Sequence, residues 1–151
     1  MASRAPGARC RAAVVGHCGG AAEGHSQSPA LVGDAAGWSN PVTAQGLAIS
    51  LRDARMLAEA LLDGPDWSPW GLTGYVDERG TRMARLRFAS ALADLLTGFG
   101  MPDRADRRSR MLGLLRRRPE LGAALDAVHA GPWAASSEAY TPDILTTVAL
   151  A

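Results

Sequence analysis

Lysine is absent from the 151 residues: all 16 basic side chains are arginine, and they face 15 aspartates and glutamates for a formal net charge of +1. A balance so close to neutral excludes a strongly basic nucleic-acid binder and an acidic tail protein. The surplus of arginine, like the 29 alanines, is a compositional bias that carries no chemistry. Cysteine is nearly absent too. Cys10 and Cys18, with His17 and His25 nearby, form no C-x-x-C pair and sit in a Gly/Ala-rich stretch, so neither a metal centre nor a disulfide framework is expected. No run approaches the ~18 apolar residues of a membrane span. Arg4, Arg9 and Arg11 precede only Ala12–Val15, shorter than the apolar core of a secretory signal, and the expectation is a cytoplasmic chain with neither membrane nor nucleic acid as partner. A Ser/His/Asp set, a paired-carboxylate acid/base site and a P-loop are also missing, which leaves no catalytic residue to name.

What is present suits one globular domain, with 47% hydrophobic residues. Residues 1–28 show no sustained period of 2 or 3.6 and read as a poorly ordered leader; organised sequence runs over 29–151. Ala30-Leu31-Val32 before Gly33-Asp34 has the profile of a short buried strand delivering a loop. Asn40-Pro41 then predicts a helix start, and Ala44, Leu47, Leu51, Ala54, Ala58 and Leu61 recur at helical spacing as one apolar face ending before Gly64-Pro65. A second helix runs from about Tyr75 through Met83, Leu86 and Leu96 to Gly98, its first turns weakened by Gly74 and Gly80. Asp103–Arg118 predicts a third, Pro119 to Val128 a fourth, and Thr141-Pro142 a short terminal one. The class is mainly α as it stands, one short strand plus four to five helices. A lone strand cannot satisfy its own backbone groups, a first hint of an incomplete protein.

The informative block is Ala30 to Leu62, A-L-V-G-D-A-A-G-W-S-N-P-V-T-A-Q-G-L-A-I-S-L-R-D-A-R-M-L-A-E-A-L-L. It resembles the second FAD-binding signature of the aromatic-hydroxylase-like flavoprotein monooxygenases, with Gly33, Asp34, Ala35, Ala36, Pro41, Gln45, Gly46, Leu47, Asp53 and Ala54 in register. Tyr75, Glu78 and Arg79 are similar to the family's Tyr-x-x-Glu-Arg helix, so the likeness runs from about Pro29 to Gly100. The resemblance implies a fragment of an α/β, glutathione-reductase-like fold that binds FAD. It implies NAD(P)H as reductant and a small organic substrate that receives one oxygen atom.

By resemblance, Gly33 and Asp34 would meet the pyrophosphate and ribityl hydroxyls, Pro41 would lie beside the isoalloxazine ring, and the backbone of Gly46, Leu47 and Ala48 would face its pyrimidine edge. The chemistry agrees: a carboxylate accepts ribityl hydrogen bonds, a glycine admits close approach, and a helix start favours an electron-rich edge. Three positions depart from the pattern. Ala44 replaces the first glycine of Gly-Gln-Gly and puts a methyl group where the chain wants a permissive dihedral, Ala48 replaces the common Asn, and Gly37 the common His.

The larger departure is the missing G-x-G-x-x-G. Only 32 residues precede Gly33, and Val14-Val15-Gly16-His17-Cys18-Gly19-Gly20 fails the spacing with no acidic ribose ligand following. The expectation is therefore the carboxyl-terminal portion of such a flavoprotein, truncated and catalytically incomplete by itself, its amino-terminal half supplied by another chain. The alternatives are a non-enzymatic helical interaction module, whose faces Leu47/Leu51/Leu61 and Met83/Leu86/Leu96 need covering, and a non-functional gene remnant. Asp53 reads as structural, the arginines of 104–118 as a solvated helix face, His129 as a helix-end residue, and Trp38 equally as a packing residue or a cavity wall.

Overall fold

The computed structural model describes residues 30–68, 70–98 and 101–150. The predicted leader, with both cysteines and His17 and His25, lies outside the described residues. The regular structure is helical: α1 Gly46–Asp63, α2 Thr73–Thr97, α3 Arg104–Arg117, α4 Asp126–His129 and α5 Pro142–Ala149, with 3-10 turns at Gly33–Ala36, Pro41–Thr43, Pro119–Leu125 and Ser137–Tyr140. The mainly helical class is as the sequence predicts. The strand over residues 30–32 is not formed: Ala30 makes a single bridge and Val32 is extended at φ −129°, ψ 158°, but no strand occurs among the described residues. A strand needs neighbours to take its backbone groups. Here the Leu31 carbonyl instead accepts a hydrogen bond from the Tyr75 hydroxyl at 2.9 Å.

The first helix begins later than Asn40-Pro41 predicts. Pro41–Thr43 is a 3-10 turn closed by the Ala44 N–H on the Pro41 carbonyl at 2.9 Å. Ala44 follows with φ 53°, the one non-glycine residue with positive φ among the described residues. A left-handed residue cannot continue a right-handed helix, so α1 starts only at Gly46. Asn40, placed by the sequence as a cap, sends its side-chain amide to Asp94 Oδ2 at 2.7 Å.

The apolar stripe read from spacing is not the face of α1 that the chain itself buries. Ile49 and Asp53 are buried, with Met56, Leu57, Ala60 and Leu61 half-buried beside them, whereas Leu47, Leu51, Ala54 and Ala58 are exposed. Periodicity found a real apolar stripe, which the described residues leave largely open; α1 is apolar around most of its circumference, and a 3.6-residue repeat cannot choose between two apolar arcs. The Met83 and Leu86 face, in contrast, is buried.

By packing, the chain forms two compact units: the described residues up to Ser39 with Gln45–Thr81, and Asn40–Ala44 with Arg82–Ala151. The first consists of the Gly33–Ala36 turn, α1 and the start of α2, which forms through Gly74 and Gly80. The second has its core in Leu92, Met111, Leu121, Ala124, Ala139 and Val148, with Phe88, Leu95, Leu114, Ile144 and Leu145 packed around them. Gly98, at φ 56°, ends α2 and turns its N–H back onto the Asp94 carbonyl at 3.0 Å, the left-handed close that glycine serves without strain.

The predicted fourth helix is mostly a 3-10 segment, Pro119–Leu125, before the short α4. Its Leu121 and Ala124 are both buried, and the three-residue repeat of a 3-10 turn brings such positions to one side. Arg85 ties the second unit's later turns to α2, donating to the Pro132 carbonyl at 3.1 Å and to Ser137 Oγ at 2.9 Å. Its guanidinium lies over the Trp133 ring at 4.5 Å and the Tyr140 ring at 5.0 Å.

Two outcomes follow from these geometries. Ala44→Gly relieves the left-handed alanine and is expected to stabilise the protein by about 1 kcal/mol, read as a higher urea midpoint at constant slope; a lowered midpoint would contradict the assigned dihedral. Burial raises the Tyr140 hydroxyl above its usual value near 10, against the opposing pull of the Arg85 cation. A group raised on folding favours the native state fully below its unfolded pKa, and that contribution is lost as pH climbs through the folded one. Stability is therefore expected to fall above about pH 10 in the parent and to fall less steeply in Tyr140→Phe, as followed by alkaline urea titrations.

Candidate functional site

The motif residues of the first unit converge on a buried arginine. Arg79, one helical turn beyond Tyr75 on α2, is 3% exposed and faces Asp53 of α1, which is 0% exposed. Its Nε donates to Asp53 Oδ2 at 2.7 Å, its Nη2 to the Gly33 carbonyl at 2.9 Å and its Nη1 to the Ala36 carbonyl at 3.1 Å. Asp53 Oδ2 also accepts the Gly33 N–H at 2.8 Å. The planar fork of a guanidinium serves three acceptors at fixed angles in a way that an ammonium cannot. The 3-10 turn is thus held at both ends by one side chain, and Asp53 neutralises the charge this buries.

Gly33 has φ 56°, and a Cβ built there would lie 2.5 Å from Ser50 Oγ. The glycine lets the turn lie against α1, whose Ser50 hydroxyl in turn donates to the Gly46 carbonyl at 3.0 Å. Asp34 and Ala35, at the apex, are exposed. Closer to the surface, Arg52 of α1 reaches Glu78 of α2, its Nη2 3.1 Å from Oε1.

Of the predicted contact residues, Gly33 is buried in this clamp, while Asp34 is exposed on the turn that packs against α1. Gly46, Leu47 and Ala48 form the exposed first turn of α1, whose intrahelical bonding opens with the Ile49 N–H on the Gln45 carbonyl at 2.9 Å. Nothing lies within 4 Å of a Cβ built on Gly46, so the chain's own packing does not demand glycine there. Pro41 is exposed and belongs to the second unit. Trp38 is 66% exposed, and the α3 arginines Arg104, Arg108, Arg110, Arg116 and Arg117 are exposed, as a solvated face requires.

A cavity of about 360 Å³ in the second unit is walled by Ala91, Leu95, Gly98, Met101 and Leu145 with Asp94 and Arg107, and includes none of the predicted contacts. Among the described residues, no group of three or more His, Cys, Asp or Glu could hold a metal ion. Asp53 is structural, as read from sequence. Its pairing with Arg79 was missed, although an acid four residues from Ile49 on a buried face and an arginine four residues from a buried tyrosine are the signals that could have found it. Comparison with protein-family models, curated proteins and solved structures returns no match.

Arg79→Met leaves Asp53 buried without its counter-charge and two carbonyls without a donor. The expected loss is about 3–5 kcal/mol in denaturant unfolding, and Arg79→Lys should recover only part of it. A loss below ~1 kcal/mol would remove the clamp from its central place.

Proposed function

We propose that this chain is the FAD-binding segment of a flavin-dependent monooxygenase or related oxidoreductase, its 151 residues holding no G-x-G-x-x-G dinucleotide-binding motif and so catalytically incomplete by themselves. The observation that carries the reading is the register of Gly33-Asp34, Gln45-Gly46-Leu47, Asp53-Ala54 and Tyr75/Glu78/Arg79. The geometry supports it in one respect: the motif's glycine, aspartate and arginine form a single clamp that leaves the Asp34 carboxylate and the first turn of α1 facing outward.

The residues present fit part of the cofactor. Asp34 supplies an exposed acceptor for ribityl hydroxyls, the first-turn N–H groups of Gly46, Leu47 and Ala48 supply donors and the positive end of the helix dipole, and the open space at Gly46 admits a close approach. When bound, FAD would supply redox chemistry, with NAD(P)H as reductant and a small organic molecule as substrate. The adenosine and most of the pyrophosphate have no counterpart residues in the motif block. In this reading they belong to an α/β portion that is not among these 151 residues.

The retained contacts are a few hydrogen bonds of ~0.5–1.5 kcal/mol net each against an association cost of ~4–15 kcal/mol. The isolated chain is therefore expected not to quench flavin fluorescence stoichiometrically and not to consume NADPH. Supplying the family's amino-terminal half in trans should restore binding, and Asp34→Ala should then weaken it about tenfold or more. Failure to bind in trans would overturn the flavin reading; a yellow stoichiometric complex with turnover from the isolated chain would overturn its incompleteness.

A further inference from the structure

The outer face of α1 is apolar yet open to solvent. Leu47, Leu51 and Leu62 are 73%, 63% and 86% exposed, and Ala54 and Ala58 between them are exposed as well. At these spacings the five residues make one continuous stripe, flanked on one side by Arg55 and Glu59. On the opposite side of the helix Ile49 and Asp53 are already buried. Apart from Ser50 and the paired Asp53, the polar residues of α1 share one flank, so its apolar surface falls in two arcs, of which the outer one is open.

We infer that this face is covered by α1 of a second copy of the chain, running antiparallel about a two-fold axis near Ala54. The inference stands on α1 alone and does not rest on the flavin reading. Shape favours the arrangement: in this register Leu51 lies opposite Ala58, large against small, Leu47 meets Leu62 only at the outer ends, and the central alanines let the helix axes approach closely. A parallel, in-register pair would set Leu51 on Leu51 and Ala58 on Ala58, crowded at one level and loose at the next.

Charge selects the same arrangement. A two-fold axis perpendicular to both helices brings the charged flank of one copy against the same flank of the other with its direction reversed, so Arg55 meets the second copy's Glu59 and the reverse. Both side chains lean toward the N-terminus of their own helix, which in an antiparallel pair draws them together. Within one chain they already pair at 2.8 Å, at an exposed site that such an interface would partly shield. A parallel pair would instead set this flank against Ser50, Leu57 and Leu61, where no charge answers it.

The full chain is therefore expected to run at twice its monomer mass in size-exclusion chromatography with light scattering. Leu51→Arg should reduce it to monomer without changing its helical circular dichroism, because Leu51 is 63% exposed within the chain. Arg55→Glu should weaken the dimer at least about tenfold, and the exchange Arg55→Glu with Glu59→Arg should restore it. Register is read by oxidative cross-linking in a chain with Cys10→Ser and Cys18→Ser: Ala54→Cys should link two copies, while Leu47→Cys should not, its two copies lying about 22 Å apart in the antiparallel pair. The inference is overturned by a monomer at every concentration, by a dimer indifferent to Leu51→Arg, by cross-linking through Leu47→Cys in place of Ala54→Cys, or by a monomer that pairs only with a flavoprotein amino-terminal half.

Discussion

The first unit depends on burying one arginine. Taking a guanidinium out of water is costly, and an ion pair alone does not reliably offset that cost. Arg79 is tolerable because Asp53 meets its charge and the Gly33 and Ala36 carbonyls take its other donors. The requirement acts in both directions. The turn must present those carbonyls inward, so its apex, with Asp34, is left outside, and Gly33 must lack a side chain for the turn to reach α1 at Ser50.

That constraint explains why α1 has two apolar arcs. One side is spent on the clamp and its surroundings, Ile49, Asp53 and the half-buried Met56 and Leu57. The other holds leucines and alanines that the described residues leave open. The flavin reading uses the backbone of the first turn and the self-pairing inference uses side chains of the outer stripe. Both place the helix at the edge of something larger than the unit it belongs to, consistent with apolar surface that a lone helix would not retain in water.

The second unit has a different character. Its core is assembled from α2, α3, α5 and 3-10 turns around Leu92, Met111 and Val148, and its polar links, Arg85 to Pro132 and Ser137 and Asn40 to Asp94, fasten loops and turns to α2. Arginines on α3 lie at the surface, with Arg107 alone turned partly inward to the Leu95 carbonyl at 3.2 Å.

Helix existence was legible wherever propensity, spacing and punctuation agreed: α2, α3 and α5 lie within a few residues of their predicted bounds, with Gly98 and Thr141-Pro142 marking ends as their backbone preferences require. The motif register, and with it the candidate contacts Gly33, Asp34 and Gly46–Ala48, was likewise local information, and so was the strain foreseen at Ala44 and observed as its positive φ. Three things lay beyond local information. Residues 30–32 could not become a strand without neighbours, the outer arc of α1 could not be told from the inner one by period alone, and the spacing of Asp53 from Ile49 and of Arg79 from Tyr75 placed each on a helix face without saying that the two, 26 positions apart, meet. Sequence determines what each segment can form because those preferences act within a few residues, whereas pairing, burial and facing depend on which distant segment arrives, and only tertiary packing decides that.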